Sequence, residues 1–173
     1  MFLPKKYFLC FFNAMSLQLR IEPQMRLSTH SDLSFRTLIF LGVAGERGAT
    51  IPEIAAAFRA SEHHLRKVVL ELSRLNLIRS TRGRSGGLRL AVSPAEVTIG
   101  GLLRQFEPEF AKSQCLGAAQ NGCVILGLCG LQGVFNESLG ALFAVLDRHT
   151  LEDVLKSSQG VAARLGIETP PLA

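Results

Sequence analysis

The chain has 173 residues, of which 47% are hydrophobic, enough apolar material for one domain with a packed core. Charged residues make up 19%, a composition that excludes a disordered chain. No segment reaches the roughly 18 consecutive apolar residues of a membrane helix, which excludes a membrane-spanning protein. Four cysteines are too few for a disulfide-built scaffold of this size.

The positive charge is concentrated in the middle of the chain. Residues 25–108 carry twelve Lys or Arg against seven acids, whereas residues 109–173 carry four against six. The densest part holds seven cations: Arg66, Lys67, Arg74, Arg79, Arg82, Arg84 and Arg89. Such a concentration indicates a polyanionic partner, with a solvated basic face as the alternative.

The first 24 residues differ in character from the rest. Lys5 and Lys6 precede an apolar run of about six residues, which is shorter than the ~7–15 residues of a secretory signal. We therefore expect residues 1–24 to be an N-terminal extension outside the fold, with Met15 or Met25 as the working start. We expect the protein to be cytoplasmic.

Capping signals predict three short helices in the basic part. An apolar stretch over 32–44 that ends at a glycine predicts the first. Thr50, with Glu53 three residues later, forms a capping box ahead of the second. Ser61 caps the third, whose apolar residues recur at helical spacing: Leu65, Val68, Val69, Leu72 and Leu75. Two short helices joined by a tight turn, the second amphipathic and basic, are typical of a helix-turn-helix.

A hairpin rich in glycine and arginine follows directly. Leu77 and Ile78 begin one strand, and the alternation of Leu88, Leu90 and Val92 predicts another, with TRGRSGG between them. Glycine allows the positive φ of a tight turn, and the arginines lie at its tip. A basic hairpin after a helix-turn-helix predicts a winged helix, with its second helix in the major groove and its wing at phosphates or the minor groove.

Apolar residues recur at helical spacing from Leu131 to Leu146 and predict a long helix with a broad apolar stripe. Operator-binding helix-turn-helix proteins are commonly two-fold dimers, so we expect this stripe to contact a second copy. Packing within the chain's own core is the alternative.

The predicted fold is mainly α: a winged helix-turn-helix followed by a cysteine-bearing cluster loop and a long C-terminal dimerisation helix. The winged helix-turn-helix spans residues 25–108 and ends with a short helix over 98–106. The later parts are the cluster loop over 109–130, the dimerisation helix and a short terminal helix over 131–158, and a flexible tail over 159–173.

Three cysteines lie close together after the winged helix. Cys115, Cys123 and Cys129 have the spacing C-x7-C-x5-C in a glycine-flanked loop, which indicates a metal or redox site. Zinc is a candidate, although the close cysteine pairs of structural zinc sites are absent. An iron–sulfur cluster accepts thiolates spread along a loop. The third interpretation is three small buried hydrophobic residues.

The order of these segments resembles the iron–sulfur winged-helix transcriptional regulators of the IscR, NsrR and RirA type. The resemblance covers residues 25–156 and rests on MRLSTHSDLSFRTL, SEHHLRKVVLELSRLNLI, TRGRSGGLRL, IGGLLRQFEP, the three cysteines and FAVLDRHTLEDVL. It implies a homodimer that binds a palindromic operator in double-stranded DNA. It also implies one iron–sulfur cluster, [2Fe–2S] or [4Fe–4S], on Cys115, Cys123 and Cys129 of each subunit.

Within this group the chain most resembles the nitric-oxide-sensing NsrR-like repressors. Asp32 matches an aspartate that can be the fourth cluster ligand, supplied by the partner subunit, although an acid in a helix's first turn is favourable by itself. Gln132 stands where IscR-like members have histidine. The C-x7-C spacing and the C-G-L after it resemble RirA-like members, which tend to carry Asn at the position of Asp32.

The resemblance also implies the DNA contacts. They are Ser61, His63, Arg66 and Lys67 on the second helix of the helix-turn-helix, and Arg82 on the wing. Exposure at the hairpin tip adds Arg84. Arginine and lysine side chains can donate hydrogen bonds to guanine N7 and O6 in the major groove.

The expected function is a cluster-dependent, DNA-binding transcriptional repressor that senses nitric oxide through damage to its cluster. The alternative is an iron-responsive regulator that senses cluster assembly. An iron–sulfur redox protein is a third alternative, which the basic winged helix disfavours. The sequence has no GxSxG, Walker or dinucleotide motif, so we do not expect an enzyme.

Overall fold

A computed structural model gives the fold and describes residues 27–81, 87–108, 125, 128–157 and 160–167. As predicted, it is mainly helical with a small antiparallel sheet. Its helices are α1 (Thr29–Ala44), α2 (Ile51–Phe58), α3 (Glu62–Arg74), α4 (Ile99–Phe106), α5 (Gly130–Leu146), α6 (Leu151–Ser157) and α7 (Val161–Leu165). Its strands are β1 (Ile78–Thr81) and β2 (Gly87–Leu90), and 3-10 turns cover Gly45–Arg47 and Pro94–Glu96.

Helix α1 is the centre of the core. Leu38 and Leu41 on this helix are buried together with Ile54 of α2 and with Leu65 and Leu72 of α3. Each buried leucine or isoleucine stabilises the fold by roughly 1.5–3 kcal/mol relative to an exposed one. Five helices, α2, α3, α4, α6 and α7, pack on α1, and the residues it buries include Ser31, Ser34 and Thr37 as well as apolar side chains.

The predicted wing forms as an antiparallel pair in which Ile78 is opposite Leu90. The residue at position 49, just before the N-cap of α2, also joins this sheet. The N–H of Ala49 donates to the Leu88 carbonyl at 3.0 Å, and the N–H of Leu88 donates back at 2.7 Å. The start of the helix-turn-helix is therefore attached directly to the base of the wing.

Helices α4 and α5 cross at very close range. The Arg104 guanidinium donates two hydrogen bonds of 2.7 Å to the Asp147 carboxylate and lies 4.0 Å from the centre of the Phe143 ring. A Cβ added to Gly100 would lie 2.0 Å from Asp147 Oδ1 and 3.1 Å from the Asp147 backbone nitrogen, so any larger residue there must displace the Asp147 carboxylate. This contact explains why position 100 is a glycine, although glycine has a low helix propensity and by itself weakens α4.

The C-terminal segment returns to the winged helix. The Leu151 N–H donates to the Val97 carbonyl and the Ile99 N–H to the His149 carbonyl, both at 2.8 Å, and α6 packs on α1. Helix α7 also packs on α1, and Ile167 is only 5% exposed. The segment predicted as a flexible tail, 159–173, thus contains α7, and Ile167 belongs to the core cluster.

The extension predicted over 1–24 and most of the cluster loop predicted over 109–130 lie outside the described residues. Among the helices that the structure describes, none is both long enough and apolar enough to cross a membrane.

Candidate nucleic-acid interface and cysteine region

The helix-turn-helix begins at the capping box that the sequence predicts. The Glu53 carboxylate accepts hydrogen bonds from the Thr50 N–H at 2.7 Å and from the Thr50 hydroxyl at 2.9 Å. The Arg47 guanidinium lies 2.6 Å from the other oxygen of Glu53. The Thr50 N–H, more than the Thr50 hydroxyl or Arg47, holds the pKa of Glu53 below its ordinary value of 4.5. These contacts fix the first turn of α2.

The turn between α2 and α3 has one residue in the left-handed region. Arg59 has φ 50° and ψ 42°, and its N–H donates to the carbonyls at the end of α2. Ser61 is the N-cap residue of α3, but its hydroxyl makes no capping hydrogen bond. That detail of the capping prediction was wrong. The Ser61 side chain is exposed.

Helix α3 presents two different faces. Leu65, Val68 and Leu72 are fully buried against α1 and α2. The residues that the family resemblance implies for DNA contact are all exposed: Ser61, His63, Arg66 and Lys67. The Arg66 guanidinium lies 3.0 Å from the Glu62 carboxylate one turn earlier. An exposed pair of this kind is worth less than about 1 kcal/mol, so Arg66 can leave it for a phosphate or a base.

The wing carries a feature that the sequence pattern did not reveal. Arg79 and Arg89 are directly opposite each other across β1 and β2, a pairing of like charges that destabilises a sheet. The Glu46 carboxylate lies 3.3 Å from the Arg89 guanidinium and offsets part of this repulsion. This pair could have been found from the sequence alone by placing the two predicted strands in antiparallel register. The predicted contacts Arg82 and Arg84 lie outside the described residues.

Asp32 lies in the first turn of α1 with its carboxylate 3.0 Å from the Arg36 guanidinium. Its side chain is 42% exposed. The residue is therefore an accessible anionic oxygen donor, and within the chain it already has one partner.

The start of α1 is joined to the end of α4. The Ser28 N–H donates to the Glu107 carboxylate at 2.6 Å, and the Ser31 hydroxyl donates to the Phe106 carbonyl at 3.1 Å. Burial opposes ionisation of Glu107, but the Ser28 N–H and the hydroxyls of both serines outweigh it and lower its pKa. The turn that carries Asp32 is thus attached to the residues that precede the cysteine loop. No local sequence pattern predicts this link.

Of the three cysteines predicted as cluster ligands, the structure describes one. Cys129 is the N-cap residue of α5 and is partly buried. The deprotonated form of a cysteine is the form that binds iron. Cys115 and Cys123 lie outside the described residues, and the described part contains no group of three or more His, Cys, Asp or Glu side chains placed to hold a metal. The donor atoms of Cys129 and Asp32, a free cysteine sulfur and an exposed carboxylate oxygen, fit an iron–sulfur site.

Comparisons with known proteins agree on one family. The sequence model of the Rrf2 family, which is described as an iron-dependent transcriptional regulator, matches residues 27–157. The HTH-type transcriptional regulator NsrR of Oceanobacillus iheyensis is 42% identical over 145 residues, covering 83% of this chain and 99% of that protein. NsrR of Bacillus subtilis is 41% identical over 140 residues, covering 79% and 94%.

Solved structures share the fold. CymR (YrzC), the global cysteine regulator of B. subtilis, superposes with a TM-score of 0.64 at 25% identity, covering 79% of this chain and all of that one. IscR of T. potens superposes with a TM-score of 0.63 at 24% identity, covering 79% and 90%. These structures confirm the predicted winged-helix architecture.

Proposed function

We propose that this chain, which belongs to the Rrf2 family of transcriptional regulators, is a cytoplasmic repressor that binds its operator as a homodimer and senses nitric oxide through an iron–sulfur cluster. DNA binding and transcriptional regulation follow from the family. The cluster, the effector and the dimer are the parts that we infer. The observation that carries the proposal is the combination of an exposed, basic face on α3 with Cys129 at the start of α5.

The DNA-binding role rests on how α3 is held. Its apolar face is buried in the core, so Ser61, His63, Arg66 and Lys67 are presented outward on a rigid element. A two-fold dimer places two such helices in successive major grooves, about 34 Å apart, which requires a palindromic operator. The wing would extend the contact to phosphates or the minor groove, with Arg82 and Arg84 as its predicted contacts.

The dimer rests on two apolar surfaces of the single chain. Leu131, Val134 and Phe135 lie on one stripe of α5 and are 50%, 57% and 43% exposed. An apolar groove of about 240 Å³ lies at the other end of α5, lined by Leu27, Phe35, Ile39, Ile99, Leu103, Leu146, Leu151 and Val154. If the long helices cross antiparallel about a two-fold axis, the stripe of one copy covers the groove of the other.

This arrangement also supports the shared cluster site. Phe35 and Ile39 line the groove, and their spacing from Asp32 places all three on one face of α1. The start of the partner's α5 in this groove would bring the second copy's cysteine at position 129 towards Asp32. Cys115, Cys123 and Cys129 of one subunit, with Asp32 of the other, would hold the cluster. When bound, the cluster supplies iron that reacts with nitric oxide.

The chain's own contacts connect Asp32 to the DNA-binding face. His30 Nε2 lies 3.0 Å from the Glu71 carboxylate on α3, without hydrogen-bond geometry, and Leu33 packs in the same core as Val68. A change of the α1 first turn at Asp32 therefore reaches α3 through packed side chains. A small rotation of α3 is enough to misalign base contacts.

The deciding experiment compares cluster-loaded and cluster-free protein on operator DNA. Protein purified anaerobically should show visible absorbance near 400 nm that collapses when nitric oxide is added, and DNA affinity should fall at least about tenfold in parallel. Cys129→Ser should behave like cluster-free protein, whereas Cys10→Ser, outside the predicted ligand set, should behave like wild type. Equal operator affinity of cluster-free and cluster-loaded protein would overturn the proposal.

One sequence feature favours an iron-responsive regulator instead. The C-x7-C spacing and the Cys129-Gly130-Leu131 segment resemble RirA-like members. In that case a chelator such as bipyridyl, rather than nitric oxide, should remove the visible absorbance and the DNA affinity together.

A further inference from the structure

A polar groove separates the first turn of α1 from α3. It has a volume of about 310 Å³ and is distinct from the apolar groove beside α5. Six residues line it: Thr29, His30, Leu33, His64, Lys67 and Val68.

The lining of this polar groove suits an anion. Its base is apolar, because Leu33 and Val68 are buried, and its rim carries the exposed side chains of Thr29, His64 and Lys67. Hydroxyl, imidazole and ammonium groups all donate hydrogen bonds to phosphate oxygens. Glu71 follows His64 at helical spacing, but its carboxylate lies 3.0 Å from the His30 imidazole and is not among the residues that line the groove.

The position of this groove points to DNA. Lys67 lies one turn from His63, so it borders both the outward face of α3 and the groove. A helix in the major groove has the sugar–phosphate backbone along its flanks, and most protein–DNA hydrogen bonds go to that backbone. The flank of α3 that faces α1 is therefore where a phosphate of the bound operator passes.

We propose that this polar groove binds one phosphate of the operator backbone through Lys67, His64 and Thr29. This inference rests on the proposed DNA-binding function. It assigns a role to Thr29 and His64, and it places a DNA contact in the same helical turn as Asp32. Binding free energies at two coupled sites are reciprocal. If the bound cluster favours one arrangement of α1, operator binding at this groove stabilises the same arrangement, and the cluster in turn increases the affinity for the operator.

The test neutralises operator phosphates one at a time. The full-length, anaerobically purified protein first selects an operator from a random DNA pool. Methylphosphonate is then substituted at each backbone position of that fragment, and affinity is measured by fluorescence anisotropy. For wild type, one position in each half-site should cost about tenfold, the scale of one charge-assisted hydrogen-bond contact. In Thr29→Val/His64→Ala the same position should cost less than about twofold.

Two controls make the result specific. His149→Ala removes another exposed imidazole, outside the groove, and should keep the wild-type methylphosphonate profile. Thermal unfolding of each variant checks that the fold is unchanged, since both groove residues are exposed.

The ways in which the proposal can fail are distinguishable. A double variant with the wild-type methylphosphonate profile would overturn the groove assignment while leaving DNA binding intact. The groove assignment would also be overturned if the variant lost binding of inorganic phosphate but kept that profile, because the groove would then bind a free anion. If the wild-type protein selected no DNA at all, the proposed function would fail and the groove assignment with it.

Discussion

Single polar side chains determine where several helices of this fold begin. Thr50 and Glu53 close a capping box at α2, and Thr150 and Asp153 make the same pair of contacts at α6, with both Thr150 donors 2.9 Å from the Asp153 carboxylate. Each threonine–carboxylate pair satisfies backbone donors that the helix itself leaves free. The hydrogen bond from the Thr150 N–H is the main reason that the pKa of Asp153 is lowered.

The Glu53 capping contact predicts a dependence of stability on pH. The pKa of Glu53 is lower in the folded protein than its ordinary value of 4.5, so ionised Glu53 stabilises the fold above that pH. This stabilisation should disappear as pH falls through the folded pKa. Glu53→Gln should therefore lose less thermal stability than wild type between about pH 5 and pH 3. The measurement is the unfolding midpoint against pH, with Glu96→Gln, an exposed carboxylate in a 3-10 turn, as control. Parallel curves for wild type and Glu53→Gln would contradict it.

At the scale of elements, the crossing of α4 and α5 joins the winged helix to the long helix α5. Gly100 permits the approach, and Arg104, Asp147 and Phe143 then complete the contact. Because Asp147 is next to the end of α5, this junction sets the direction in which α5 leaves the winged helix. The orientation of the two DNA-binding surfaces in a dimer depends on it.

Gly100→Ala tests this crossing. The added methyl group would overlap the Asp147 carboxylate and force α4 and α5 apart, which should cost about 1–3 kcal/mol of unfolding free energy. Gly140→Ala in α5, where no atom lies within 4 Å of the added Cβ, should have little effect or stabilise by up to ~1 kcal/mol. Urea unfolding of the two variants compares them directly, and equal stabilities would show that the crossing can relax without cost.

Helix α7 is a structural element rather than a tail. Ile167→Ala should lower the unfolding free energy by about 2–4 kcal/mol, because it leaves a cavity in the core beneath α1. Ile125→Ala is the matched control, since that isoleucine is 53% exposed. Thermal denaturation followed by circular dichroism gives both values. An unchanged midpoint for Ile167→Ala would mean that α7 does not contribute to the core in solution.

At the scale of the whole molecule, the single chain leaves the apolar stripe of α5 uncovered. Three exposed apolar side chains on one face of a helix form the kind of patch that marks an interaction site. The proposed homodimer covers this stripe and the apolar groove together.

Val134→Glu tests that assembly. A charge in the centre of the stripe should raise the dimer dissociation constant at least about 100-fold, as expected for loss of a central apolar contact. Operator affinity should fall with it. Asn136→Glu adds the same charge on the opposite face of α5 and should remain dimeric. Sedimentation velocity distinguishes the two species, and a dimeric Val134→Glu variant would exclude this stripe as the interface.

Elements whose signals are local could be predicted from the residues alone. The capping box at Thr50, the helical spacing of Leu65, Val68 and Leu72, and the glycine-rich hairpin each depend on residues a few positions apart. Contacts of that range can be predicted from the sequence pattern, because helix caps and apolar periodicity act within one or two helical turns. For the same reason the exposed basic face of α3 could be predicted, although the hydroxyl of Ser61 does not cap the helix as expected.

Contacts between distant segments became visible only in the folded chain. Gly100 looks like a weak helix residue until Asp147 is placed against it, and Ile167 looks like part of a loose end until α1 is placed beneath it. The polar groove likewise needs Thr29 and His64 to meet across two helices. No local pattern encodes such pairs, because they depend on how the helices pack around α1, where close-packed volume rather than propensity selects the arrangement.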